Sequence, residues 1–182
     1  MPELPEVFTT ASGLDRAVSG RTIVGVWNAY NSPHHVGKPN IKNPLYFLHF
    51  KERVEGCEIA SVENIGKNVL IHLAGCLTVL IHMKMTGHLL HGMFAYENGA
   101  WHATEPGPLQ DPINGYIRLV FTLDDGTHIA LSDVRRFAKV MVVPTSALGV
   151  TPDLAALGPN PLAKDFTFER FEIGRASCRE RV

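Results

Sequence analysis

The chain begins Met-Pro-Glu-Leu-Pro-Glu-Val, with a proline second and carboxylates at Glu3 and Glu6. Removal of Met1 makes Pro2 a free secondary amine. An α-amine titrates near 8 and a lysine near 10.4, so at pH 7 roughly 10% of the first is neutral against roughly 0.04% of the second. Proline's amine is more basic than that reference, and the positive end of a following helix would lower its pKa. A neutral amine attacks a sugar carbon and forms a Schiff base. From a secondary amine the product is an iminium with no nitrogen proton to lose, so it stays cationic and serves as an electron sink for later eliminations. Glu3 is the nearest general acid or base. A plainer reading gives Pro2 a role only in methionine trimming, and Pro5-Glu6 only in starting a helix. It does not explain both prolines together with an acid beside the terminus.

These groups need an element to hold them. Pro5 suits the first helical position and Glu6 the first turn, where the helix dipole favours an acid. Val7, Ala11, Leu14 and Val18 recur at helical spacing and Gly20 stops the pattern, which predicts a helix over 5–19. Residues 22–30 read as a strand and 32–44 as a loop; 45–56 is ambiguous and includes a short helix. Beyond it strands dominate. Residues 68–83 read as two strands joined at Ala74-Gly75-Cys76, and 115–133 as a hairpin turning at Asp125-Gly126. Residues 138–143 add a strand, 97–115 read as one long polar loop of the kind that carries function, and 157–162 as a compact turn.

Composition excludes several classes. The 182 residues are 45% hydrophobic and 19% charged, enough for one domain with a hydrophobic core and unlike a disordered chain. No apolar run is long enough to span a membrane and no signal-peptide pattern opens the chain, so the cytoplasm is the default expectation. Cys57, Cys76 and Cys178 form no CxxC pair, which argues against a disulfide scaffold or zinc ribbon. His34, His35, His82, His88 and His91 have no cysteine or acid at ligand spacing, so no metal site is expected. Net charge is −1, and the terminal GRASCRERV carries +2 of it, leaving −3 before it. A nucleic-acid partner therefore requires a local basic patch. Residues 173–182 have no amphipathic period and read as a non-native or read-through tail.

Several further residues have ordinary readings when taken singly. Lys67 before a strand is a solvated turn lysine. Met85 and Phe137 border strands and belong by default to the core. Arg135 and Arg136 are a solvated pair or partners of Asp133.

Taken in order, the motifs change that reading. PELPEV at residue 2, GKNVLIHL (66–73), IHMKMTGHL (81–89), LSDVRRFAK (131–139) and LGPNPL (157–162) resemble, in sequence order, the motifs of formamidopyrimidine-DNA glycosylases, base-excision repair enzymes. The resemblance spans 2–172 and implies the family's N-terminal catalytic domain. The implied fold is α+β, mainly β: a two-layer antiparallel β-sandwich with an N-terminal helix carrying the catalytic terminus. It implies Pro2 as Schiff-base nucleophile, Glu3 as the proton donor that helps open the sugar, and Glu6 as an assisting carboxylate. Lys67 becomes the proton donor in β-elimination and a phosphate contact. Met85, Arg135 and Phe137 would fill the gap left when a damaged base leaves the stack, with Arg136 beside them on DNA. Such an enzyme must extrude its target at a cost of a few kcal/mol, which an apolar wedge and an arginine facing the orphaned base partly offset.

The implied partner is damaged double-stranded DNA, met by a monomer at the bacterial nucleoid, with oxidised purines removed and the abasic site nicked. The leucine of PELPEV and the RRF loop favour this over the related endonuclease VIII-type enzymes acting on oxidised pyrimidines. The family's helix–two-turn–helix module and four-cysteine zinc finger have no counterpart in these residues, so no cofactor is expected here. A catalytically incompetent remnant that hardly binds DNA is the alternative of another class. Local departures also stand out. VENIG (62–66) replaces basic residues before Lys67, Asn114 a DNA-contacting histidine, Val134 a proline, and Lys84 and Ala138 glycines.

Overall fold

The computed structural model describes residues 2–157 and 167–169. Most of the expected 157–162 turn, the 173–182 tail and Cys178 lie outside the described residues. Two compact units divide at Ser146. The first begins with helix α1, Leu4–Val18, one residue earlier than its periodicity predicts. Val7, Ala11, Leu14 and Val18 form its buried stripe, each at most 4% exposed. Gly20 ends it at φ 80°, a conformation that costs glycine nothing. Asp15 Oδ1 accepts from the Val62 amide at 2.7 Å, tying the helix to the strand beneath it.

Strand β1 is Ile23–Asn28, and the ambiguous segment is helix α2, Pro44–Val54. Pro44 sits in its first turn, Asn43 caps the Leu45 amide, and Phe50 and Val54 bury one face. Then follow β2 (Ile59–Ile65), β3 (Asn68–Leu73), β4 (Leu77–His82), β5 (Gly87–Gly92), β6 (Phe94–Glu97) and β7 (Ala100–Ala103). The last three are β8 (Ile117–Leu123), β9 (His128–Asp133) and β10 (Lys139–Pro144). Two four-stranded antiparallel sheets result, in the orders β1-β8-β9-β5 and β10-β4-β3-β2. Val26, Leu119, Phe121, Ile129 and Leu131 of the first share one core with Val62, Val69, Ile71, Val79, Ile81 and Val140 of the second, and with the α1 stripe. This is the expected α+β, mainly β sandwich. Among the described residues no helix is long and apolar enough to cross a membrane.

One expectation fails. The stretch 97–115 is not a single loop, because β6 and β7 form a hairpin turning at Asn98-Gly99 with φ of 51° and 82°. Asn-Gly at such a turn is a strong hairpin signal, and its neighbours are short enough to pass for loop. The hairpin exists because the outer face of the first sheet is apolar: Phe94 and Trp101 pack on Val120, Ala130 and Trp27. Short 3-10 turns at Pro108–Gln110 and Pro112–Gly115 complete the stretch.

The second unit, described to residue 157 and at 167–169, contains helix α3, Pro152–Ala155. Thr151 precedes it, its hydroxyl donating to the Ala147 carbonyl at 2.9 Å.

Leu14→Ala is expected to lower unfolding free energy by about 2–5 kcal/mol in urea titration, as for other buried leucines. Phe8→Ala, at a half-exposed position of the same helix, should change it by less than about 0.5 kcal/mol.

Candidate active site

The N-terminal heptad builds its own support. Glu3 is the N-cap of α1 and Glu6 the third helical residue, and the two form a capping box: the Glu3 amide donates to Glu6 Oε2 at 2.8 Å. Pro5 therefore occupies the second helical position, where a missing N–H still costs nothing. The peptide following Pro2 is thus held by a carboxylate that also faces a cleft. Pro2 and Glu6 line this cleft of about 270 Å³ together with Met85, Thr86, His88, Ile113 and Val134. Glu3 and Lys67 are not part of its lining. Lys67 lies half-buried in the β2–β3 turn, where Gly66 takes a φ of 56°.

The chain brings the other expected residues to this end of the sandwich through strand register. His82 pairs with Asn68 on one side and Lys139 on the other, so the Lys67 turn, the β4–β5 turn and the β9–β10 loop share an edge. Gly87 pairs with Asp133, which places the β4–β5 turn beside the 133–138 loop. Met85 sits in the first and Arg135 and Phe137 in the second. Arg135 Nη1 approaches Met85 Sδ at 3.4 Å, and its guanidinium lies 4.7 Å from the Phe137 ring centroid. Met85 and Phe137 are 45% and 47% exposed, which overturns their ordinary reading as core residues. Arg136 is near enough to act electrostatically on Arg118 and Tyr30.

The organising group is Asp133, fully buried at the end of β9. Its carboxylate accepts from the Tyr30 hydroxyl at 2.8 Å, the Thr86 hydroxyl at 2.6 Å and the Ala138 amide at 2.8 Å. Among the described residues neither Arg135 nor Arg136 pairs with that carboxylate, so the simple ion-pair reading fails. Thr86 accepts in turn from the Arg135 amide at 3.1 Å. Burial, then the adjacent Asp133 charge, hold the Tyr30 phenol well above its usual pKa, so it remains a donor at any working pH. Lys42, 7% exposed, donates from Nζ to the Arg136 carbonyl at 2.7 Å. Burial pulls its pKa below the ordinary lysine value against the opposing pull of Asp133.

The β4–β5 turn is tight. The Gly87 amide donates to the Met83 carbonyl at 3.1 Å, and a Cβ at position 87 would fall 2.5 Å from that oxygen. Lys84 inside the turn adopts φ 57°, which accounts for the glycine expected there from the motif. Thr86 lies inside the IHMKMTGHL motif, but its residue type alone does not mark it for the site. Ile113 falls in the 97–115 stretch expected to carry function, whereas Tyr30 and Lys42 have no local signal as site residues. Among the described residues no cluster of three or more His, Cys, Asp or Glu side chains could hold a metal.

Asp133→Ala strands three buried donors and is expected to cost about 3 kcal/mol or more, read as a fall in the urea midpoint. Lys84→Gly should act in the opposite sense, adding about 1 kcal/mol by relieving the left-handed backbone, read as a rise in Tm of a few degrees.

The formamidopyrimidine-DNA glycosylase N-terminal domain model matches residues 1–140. The formamidopyrimidine-DNA glycosylase of Heliobacterium modesticaldum is 33% identical over 171 residues, covering 94% of this chain and 54% of that protein. The Cereibacter sphaeroides protein of the same name is 32% identical over 166 residues, covering 91% and 53%. The crystal structure of the Lactococcus lactis enzyme, non-covalently bound to DNA containing an AP site, superposes with a TM-score of 0.71 at 20% identity, covering 98% of this chain and 58% of that one. The MutM (Fpg) protein of Thermus thermophilus gives 0.62 at 28% identity, covering 95% and 52%. This chain spans about half the length of the curated relatives it matches. With PELPEV capping α1 beside the cleft and the RRF loop beside Met85, the chain belongs to the formamidopyrimidine-DNA glycosylase N-terminal domain family.

Proposed function

We propose that this chain is the catalytic N-terminal part of a base-excision repair glycosylase with AP lyase activity, removing oxidised purines such as formamidopyrimidine and 8-oxoguanine from double-stranded DNA. The single observation that carries the reading is the convergence of two separate devices at one end of the sandwich. One is the Pro2–Glu6 cleft and the other the Met85–Arg135–Phe137 cluster, and Met85 belongs to both.

The chemistry follows from the groups present once Met1 has been removed. The Pro2 nitrogen attacks C1′ of the damaged nucleotide, the C1′–N glycosidic bond breaks with its electron pair leaving with the base, and the proton lost from the Pro2 nitrogen neutralises that base. Glu3 protonates the ring oxygen, the sugar opens, and a C1′ iminium to Pro2 remains. Water takes a C2′ proton, the C–H electron pair forms an enamine that expels the 3′-phosphate, and Lys67 protonates the phosphate oxygen as it leaves. Hydrolysis of the iminium returns Pro2. Glu6 has a positioning share, because its carboxylate holds the Glu3 amide and so the peptide after Pro2.

Met85 and Phe137 enter the stack where the nucleotide has left, and Arg135 faces the unpaired base. Arg136, Lys67, Lys84 and Lys139 cluster at the same end and offer phosphates a local positive edge on a chain of net charge −1. Binding carried by such contacts weakens steeply with salt. The site of action would be the bacterial nucleoid, and the working unit a monomer.

Borohydride reduction on abasic-site duplex at low salt should yield a covalent adduct that peptide mass spectrometry locates on Pro2. A chain carrying an N-terminal extension should give none. Met85→Ala combined with Phe137→Ala should lower adduct yield on duplex by about tenfold or more, a loss of about 1.4 kcal/mol or more. A folded, Met1-free chain that gives no adduct at high concentration would reduce this reading to a remnant that folds without acting.

A further inference from the structure

Lys42 is an ionisable side chain placed almost wholly out of water, far in sequence from any motif, and the repair chemistry gives it no task. Taking an ammonium out of water is costly, and a single hydrogen bond to a neutral carbonyl does not recover that cost by itself. Its backbone is held with care. The Lys42 amide donates to Asn40 Oδ1 at 3.1 Å, its carbonyl accepts from the Ser32 amide at 3.1 Å, and the Ile41 amide donates to the Val140 carbonyl at 3.1 Å. The Asn28 side chain adds a bond to the Ile41 carbonyl at 2.9 Å. From this fixed base Nζ reaches the Arg136 carbonyl at 2.7 Å, with the Tyr30 ring centroid 5.5 Å away.

What Lys42 holds is the middle of the 134–138 loop. Arg136 has φ 57°, a strained choice for a residue with a side chain, and it lies between the two residues that face outward, Arg135 and Phe137. Asp133 and Thr86 hold the loop's two ends through the Ala138 and Arg135 amides. Lys42 supplies a third anchor, at the strained peptide. Without it the Arg136 peptide is free to rotate and the Arg135–Phe137 pair loses its common direction.

We propose that Lys42 is a positioning residue for the gap-filling loop: its ammonium locks the Arg136 peptide so that Arg135 and Phe137 project together beside Met85. This rests on the repair function proposed above.

The test compares Lys42→Met, similar in length and uncharged, and Lys42→Gln, which keeps a donor, with the unaltered chain. Amide exchange at Arg135 and Ala138 is expected to speed by about tenfold or more in Lys42→Met, with core amides such as Ile71 unchanged, and to recover in part in Lys42→Gln. Borohydride adduct formation should fall by about tenfold on abasic duplex and by less than about twofold on the same single strand, where no opposite base has to be faced. Equal losses on both substrates, or equally faster exchange in the core, would overturn the proposal in favour of a general role in stability. Unchanged exchange at Arg135 and Ala138 would overturn it directly. An unaltered chain that forms no adduct on either substrate would defeat the repair reading, while the exchange comparison would still decide whether Lys42 anchors the loop.

Discussion

One buried carboxylate organises the functional end of this protein. Asp133 accepts three hydrogen bonds from three segments: Tyr30 after β1, Thr86 in the β4–β5 turn, and Ala138 closing the loop before β10. A carboxylate kept from water needs such donors, and each donor fixes the segment that bears it. The Met85 turn and the Arg135–Phe137 loop therefore cannot move independently. Two half-exposed apolar side chains and a guanidinium keep a common direction without a partner to press them into place.

The second constraint is smaller and lies at the chain start. Chain termini ordinarily fray, but the capping box satisfies helix-end groups with Glu3 and Glu6 and so orders the residues next to Pro2. Glu6, whose carboxylate closes the capping box, also lines the cleft, so helix capping and cleft share one residue. Strand register then brings the two devices to one end. Gly87 opposite Asp133 and His82 opposite Asn68 and Lys139 align turns from both sheets, and a slip of one residue would reverse every side chain between them.

Three of the departures from the family's motifs, Lys84, Ala138 and Asn114, fall where the fold can absorb them. Lys84 takes the left-handed conformation for which glycine is suited, at some cost in strain. Ala138 is buried and needs only its amide to reach Asp133, which any residue except proline supplies. Asn114 is occupied within its own loop, its side chain donating to the Pro108 carbonyl at 3.0 Å. Val134, another departure, lines the Pro2 cleft itself, so the changes reach that cleft as well.

Local physics made much of the molecule legible in the sequence. The apolar spacing of α1, the Asp125-Gly126 hairpin and the strands on either side of Ala74-Gly75-Cys76 all depend on neighbours within a few residues. The motif order marked Pro2, Glu6, Met85, Arg135 and Phe137. The Asn98-Gly99 hairpin was equally local and escaped only because its strands are four residues long. Tertiary structure alone decided the rest. That Met85 and Phe137 are half-exposed, that the Asp133 carboxylate takes Tyr30, Thr86 and Ala138 rather than Arg135 or Arg136, and that Lys42 reaches Arg136 across 94 positions follow from sheet pairing between distant segments. Side-chain type and spacing carry the period of an element, but the partner of a buried charge is set by which segments the register brings within about three ångströms of it.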